Sequence, residues 1–213
     1  MSISQTHFSD PSMALANHID ELTLLTLGGR VSTALALAQA ETDPLTHALG
    51  TAAVYASIGE LDPLVEAVEA AVNLDHKHSL VLQAQAIALA IQGDTASAVQ
   101  KATDAATSAT SSIEATQRAQ LGLARMMLLD GIKNPNSRQE GLELLKSMAN
   151  YGKDADANLI LADELGMETK FTYLAAAFMH NPRDPRSMQQ LTELFKEQSW
   201  PVGLGIVCRH IRE

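Results

Sequence analysis

The sequence predicts an all-α protein of paired, antiparallel helices, and three observations carry that expectation. Apolar residues recur at three- and four-residue spacing along most of the chain. Four of the seven prolines directly follow aspartate. Two apolar runs stop on the same glycine-plus-polar turn, SIGELDPLV around Gly59 and IQGDTASAV around Gly93, an interval of 34 residues. No alternating run bounded by hairpin turns points to a strand.

The elements follow from their end signals. Aspartate at an N-cap accepts a free backbone N–H, and proline at the first helical position gives up no donor the helix would use. Asp10-Pro11, Asp43-Pro44, Asp62-Pro63 and Asp184-Pro185 therefore mark helix starts, and Ser137 with Glu140 has the spacing of a capping box. Gly28-Gly29, Gly59, Gly93, Gly152 and Gly166 stand where apolar periodicity ends, as left-handed C-terminal caps do. Stripes such as Leu64, Val65, Val68, Val72 and Leu80, Val81, Ala84, Ile87, Ile91 fill the space between these marks, and Leu142, Leu145, Met148 and Met188, Leu191, Leu194 repeat the pattern. Helices are expected at about 11–28, 31–41, 44–58, 63–73, 77–92, 95–109, 112–130, 138–150, 154–165, 168–180, 185–198 and 202–212. The short turns between them favour antiparallel neighbours.

Composition bounds the class of function. The 213 residues are 46% hydrophobic and 19% charged, as in a globular chain. Apolar runs break well before the roughly 18 residues a membrane span needs. The start, MSISQTHFSDPS, has neither the basic residues nor the apolar stretch of a secretory signal. A single cysteine suits a reducing cytoplasm. Residues 1–76 hold one base, Arg30, against ten acids, so nearly all of the net charge of −10 falls in the first third. That field disfavours nucleic acid and favours a basic partner, although acids spread over a solvated face for solubility produce the same count.

Paired helices at a 34-residue interval are the mark of a tetratricopeptide array, in which each pair covers its neighbour's apolar face. With Gly59 at the turn inside a unit, Tyr55 falls where that family prefers tyrosine and Ala71 where it needs a small residue. Gly93, Ala98 and Ala105 fill the corresponding places in the next unit, with Leu89 for the tyrosine. Neither unit has the family's early tryptophan, and His76 stands at the closing proline position. Residues 119–158 resemble the related Sel-like repeat through Leu121-Gly122, Asp130-Gly131-Ile132, Glu143-Leu144-Leu145, Ala149, Gly152 and Ala155-Asp156-Ala157. The resemblance covers about residues 44–165, with an imperfect unit before it at 11–43 and a degenerate one after it. It implies a tetratricopeptide-like α-solenoid over 11–198, between a flexible segment at 1–10 and a capping helix at 199–213.

The resemblance further implies a concave surface lined by the first helix of each pair. In its register the inward positions are Thr46, Leu49, Ala53, Ala56 and Ser57, then Leu80, Gln83, Ile87, Ala90 and Ile91, with Leu123, Met126 and Met127 from the Sel-like segment. Such a surface is small and apolar, suited to an apolar or amphipathic helix. A second reading stands beside it: these residues are buried within a tight superhelix, or covered by the chain's own last helix, SWPVGLGIVCRHIRE. Arg118 and Arg125, seven apart on one helix face, are candidate anchors for an acidic partner, and Asp130 and Glu114 explain them equally well as surface arginines.

No reactive constellation emerges. His76 and His78 flank one residue in a turn and make an incomplete metal site. Cys208 and His210, two apart on an expected helix, point in different directions and form no nucleophile–base pair. The phosphate loop, the serine elbow and the two-histidine zinc motif are missing from the sequence. The expectation is a non-enzymatic cytoplasmic adaptor or scaffold that needs no metal or cofactor and binds another protein or peptide, with no nucleic acid and no membrane span. A small acidic tetratricopeptide chaperone of a secretion system and a self-assembling homo-oligomeric repeat protein are the alternatives.

Overall fold

The computed structural model describes residues 11–151, 154–165, 167–181 and 184–197. Among them are eleven helices and no strand: α1 (Pro11–Leu27), α2 (Val31–Ala40), α3 (Pro44–Ile58), α4 (Leu61–Asp75), α5 (Ser79–Ile91), α6 (Thr95–Ser108), α7 (Ile113–Asp130), α8 (Pro135–Tyr151), α9 (Ala155–Glu164), α10 (Met167–His180) and α11 (Pro185–Glu197). The protein is all-α, and its helices pack as consecutive pairs. The segments expected at 1–10 and at 199–213, including the cap and Cys208 and His210, lie outside the described residues, as do Gly152 and Gly166.

Local chemistry accounts for most helix ends. Asp43 caps α3, its carboxylate accepting from the Thr46 N–H at 2.8 Å and from the Thr46 hydroxyl at 2.7 Å. Asp94 does the same for α6 through the Ser97 N–H, Ser112 for α7 through Ala115, and Asp154 for α9 through Ala157. Gly29, Gly59 and Gly93 close α1, α3 and α5 with positive φ of 78°, 74° and 85°. Each is followed by an N–H that reaches back to the helix, from Arg30 to Leu25, Glu60 to Tyr55 and Asp94 to Leu89. This bond satisfies a carbonyl that the helix end leaves open.

Two expected starts are corrected. The helix assigned to Asp62-Pro63 begins at Leu61 with Glu60 in the capping position, so both residues sit inside its first turn. Proline is tolerated there because the first four N–H groups have no partner within the helix. The helix assigned to Ser137 and Glu140 begins at Pro135, and Ser137 is buried within it. Its hydroxyl bonds to Asp130 rather than capping its own helix.

The chain divides into two compact units, Met1–Arg138 and Gln139–Glu213, with the division inside α8. In the first unit α1 packs on α3, α3 on α5 and α5 on α7, while α2, α4 and α6 pack between successive odd-numbered helices. Small residues set these distances: Ala34, Ala38, Ala71, Ala98, Ala105, Ala119 and Ala124 are all fully buried. Backbones approach closely where only a methyl group intervenes. Tyr55 packs against the cluster of Ala52, Leu64, Ala67, Val68 and Ala88.

The second unit has its own core, built from Leu159 and Ala162 of α9, Leu174 and Ala177 of α10, and Leu191, Leu194 and Phe195 of α11. The Phe171 and Phe195 rings meet at 5.9 Å with a 55° tilt. Arg186 holds buried Asp184 at 3.0 Å and Asp156 at 2.6 Å. Its bonds to Asp184 first, and then the charge of Asp156, raise its pKa above the ordinary value.

Candidate interaction surface

The odd-numbered helices of the first unit form one side of the stack. That side curls, because α1 meets α7. Arg118 of α7 donates to both carboxylate oxygens of Asp20 of α1, at 2.5 and 2.6 Å, across 98 residues of sequence. A straight stack would keep the first and seventh helices apart, so this two-pronged bond marks the inner side of a curve.

The inner side is partly filled by α1. Ala16, with half-buried Leu15 and Ile19, joins a core cluster with Ala48 and Leu49 of α3, Ala71 of α4, and Leu80 and Val81 of α5. Two residues expected to face a ligand, Leu49 and Leu80, are therefore buried. Further along, an apolar hollow of about 100 Å³ remains between Ile19, Ala53, Ala56, Gln83, Ile87 and Arg118, floored in part by Leu49 and Leu80. Six expected groove positions thus meet at one place. Ile87, which borders it, is 38% exposed, and Ile91, 39% exposed four residues further along α5, does not line it. Leu123, Met126 and Met127 are half-buried on α7 and do not line the hollow, and neither do Thr46, Ser57 and Ala90.

The two arginines separate. Arg118 is engaged by Asp20 and also borders the hollow, whereas Arg125 is exposed on α7 away from it. Between them Gly122 faces α5, where an added Cβ would stand 3.8 Å from Gln83 Oε1. Sequence reasoning missed Asp20, and no local signal marks it. It also missed the part played by α1, although the stripe Leu15, Ile19 and Leu22 was visible.

Several polar side chains elsewhere cap or join helices. His78 caps α5, its Nδ1 accepting the Leu80 N–H at 3.2 Å, and His76 ends α4 as its C-cap. No three His, Cys, Asp or Glu side chains among the described residues are placed to hold a metal ion. Buried Asp130 accepts from Thr95 and Asn134 as well as Ser137, and these bonds, Thr95's first, hold its carboxyl below the ordinary range. Asp43 and Asp94 are likewise lowered, chiefly by their bonds from Thr46 and Ser97. No helix among the described residues is long and apolar enough to cross a membrane. Compared with known proteins, the chain matches no protein-family model, no curated protein and no solved structure.

Proposed function

We propose that this chain is a non-enzymatic interaction protein, an adaptor or scaffold of tetratricopeptide- and Sel-like repeats, that holds an apolar or amphipathic partner segment on the inner side of its first unit. The observation that carries this reading is the apolar hollow bordered by exposed Ile87, with Ile91 exposed four residues further along the same helix. Concave apolar surfaces with a few polar groups are where helical segments dock. Exposed acids at Asp62, Glu66 and Glu69, spaced along one face of α4, are available to a basic flank of the same partner.

The test is co-purification on the full-length chain, comparing wild type with Ile87→Glu and Ile91→Glu and identifying bound proteins by mass spectrometry. Both positions are exposed enough to accept a carboxylate without unfolding the unit, unlike buried Leu80. Partners lost from both variants support the reading. An unchanged set of partners refutes it.

A further inference from the structure

A second cavity of the first unit, of about 200 Å³, lies where α1, α5 and α7 begin, and polar side chains form much of its wall. Lys77 and His78 reach it from the turn before α5, and Ser79 from the first residue of that helix. Thr110 and Ser111 reach it from the turn before α7, and Arg118 from the second turn of α7. No aspartate or glutamate among the described residues lines it, although residues 1–76 hold ten acids against one base.

Most of these groups have a donor to spare. Lys77 is exposed, and its ammonium has no ion-pair partner among the described residues. Thr110 and Ser111 are exposed too, with hydroxyls equally uncommitted. The Nδ1 atom of His78 accepts the Leu80 N–H, so the proton of the neutral ring sits on Nε2 and makes it a donor. Arg118 gives one N–H of each terminal nitrogen to Asp20 and keeps its others. The neighbouring acids stand outside the wall. Asp75 takes the backbone N–H groups of Lys77 and His78, both at 3.1 Å, while Asp20 takes Arg118. Neither lines the cavity, and nor does Glu114 in the first turn of α7.

An ammonium, a guanidinium edge, an imidazole N–H and hydroxyls, with no opposing carboxylate, are donors suited to a multiply charged oxyanion. A phosphate group brings three acceptor oxygens and a charge near −2 at neutral pH. A carboxylate brings two oxygens and a single charge, and would leave several of these donors unmatched. We propose that this cavity binds a phosphate group, carried by a small phosphate ester or by a phosphorylated side chain. Lys77 supplies the charge, Arg118 and His78 the directional donors, and Thr110 and Ser111 the neutral ones. The N-terminal ends of α5 and α7 add partial positive charge. The chain end of α6 lies beside them, and there the Ala109 carbonyl is taken up by the Thr116 hydroxyl. The site does not depend on what occupies the apolar hollow.

The experiment is equilibrium dialysis of the full-length protein against radiolabelled inorganic phosphate, at constant ionic strength in chloride. Saturable binding of about one phosphate per chain is expected. Lys77→Gln should weaken it about tenfold, the loss of one charge-assisted contact, and Thr110→Ala with Ser111→Ala several-fold. Lys146→Gln, an exposed lysine of α8 outside the cavity, should leave it unchanged. Sulfate should compete and acetate should not. Glycerol 3-phosphate and a phosphoserine peptide, added as separate competitors, show by the tighter of the two which carrier the site prefers. Circular dichroism checks that each variant is folded. Binding that does not saturate, that survives Lys77→Gln unchanged, or that falls as far with Lys146→Gln overturns the site.

Discussion

Thr95 Oγ1 donates to Asp130 Oδ1 over 2.8 Å, joining the first residue of α6 to the last residue of α7. The same carboxylate takes the Asn134 amide and the Ser137 hydroxyl, so one buried group gathers the starts of two helices and the end of a third. Hydrogen bonds to a charged acceptor contribute about 1.5–3 kcal/mol each, and a buried donor left without its acceptor is costly. Asp130→Ala should therefore destabilise the first unit by about 2–3 kcal/mol. Asp94→Ala, which removes an exposed cap, should cost clearly less. Urea unfolding followed by circular dichroism checks the order, and equal losses would contradict the hub assigned to Asp130.

The acid response follows from three carboxyls. Asp43, Asp94 and Asp130 are each held below the ordinary value of 3.8 by hydrogen bonds to the charged form. A folded pKa below the unfolded one means that the unfolded chain binds protons first as pH falls. Their contribution is thus complete above the unfolded pKa and is lost as pH falls through the folded values. The urea midpoint should hold between about pH 5 and 7 and drop below about pH 4. Asp130→Asn should be less stable at neutral pH and show a shallower acid decline. A decline as steep as wild type would remove Asp130 from the account.

Three glycines inside or next to helices should respond with different sizes and signs to alanine. A Cβ on Gly50 would stand 2.9 Å from Leu22 Cδ1 and 3.3 Å from Ala38 Cβ, both in fully buried side chains. Overpacking of about 1–3 kcal/mol outweighs the helical gain of about 0.5–1, so Gly50→Ala should lose about 1 kcal/mol. On Gly122 the nearest atom is 3.8 Å away, and Gly122→Ala should gain about 0.5–1 kcal/mol. On Gly131 the new methyl would meet Arg138 Cβ and stand 2.8 Å from its Cα, a backbone atom that cannot swing aside. Gly131→Ala should cost the most of the three. Thermal melts of the three variants decide the ranking.

Neighbouring alanines on α4 offer a packing test. Ala71 is fully buried and Ala70 is exposed. Ala71→Leu should destabilise by about 1–3 kcal/mol because extra methylenes must displace α3 or α5. Ala70→Leu should stay within about 0.5 kcal/mol. Similar losses at both positions would mean that the small residue at 71 is not what sets the helix spacing.

Where the sequence reading succeeded, the governing contacts are local. Asp43 and Thr46 are three residues apart, and Gly59 closes a helix by bonds to residues three to five positions away. Ser137 misled because its hydroxyl bonds to Asp130, which Thr95 of α6 also engages, instead of accepting from an N–H of its own helix. The groove register brought six expected positions to one hollow, since helical periodicity places residues on faces. It did not foresee that Leu49 and Leu80 would be covered, because the covering side chains, Ala16 and Ile19, come from a helix outside the clearest repeats.

The sequence by itself determined that this chain is helical and where most helices of the described residues begin and end. Each of those depends on hydrogen bonds and periodicities spanning a few residues. Only the tertiary structure decided that α1 returns to α7 and that Arg118 belongs to Asp20. It also decided how much of the inner apolar side stays open. Those outcomes depend on the curvature accumulated over successive helix pairs, a sum of small packing angles that no single stretch of sequence records.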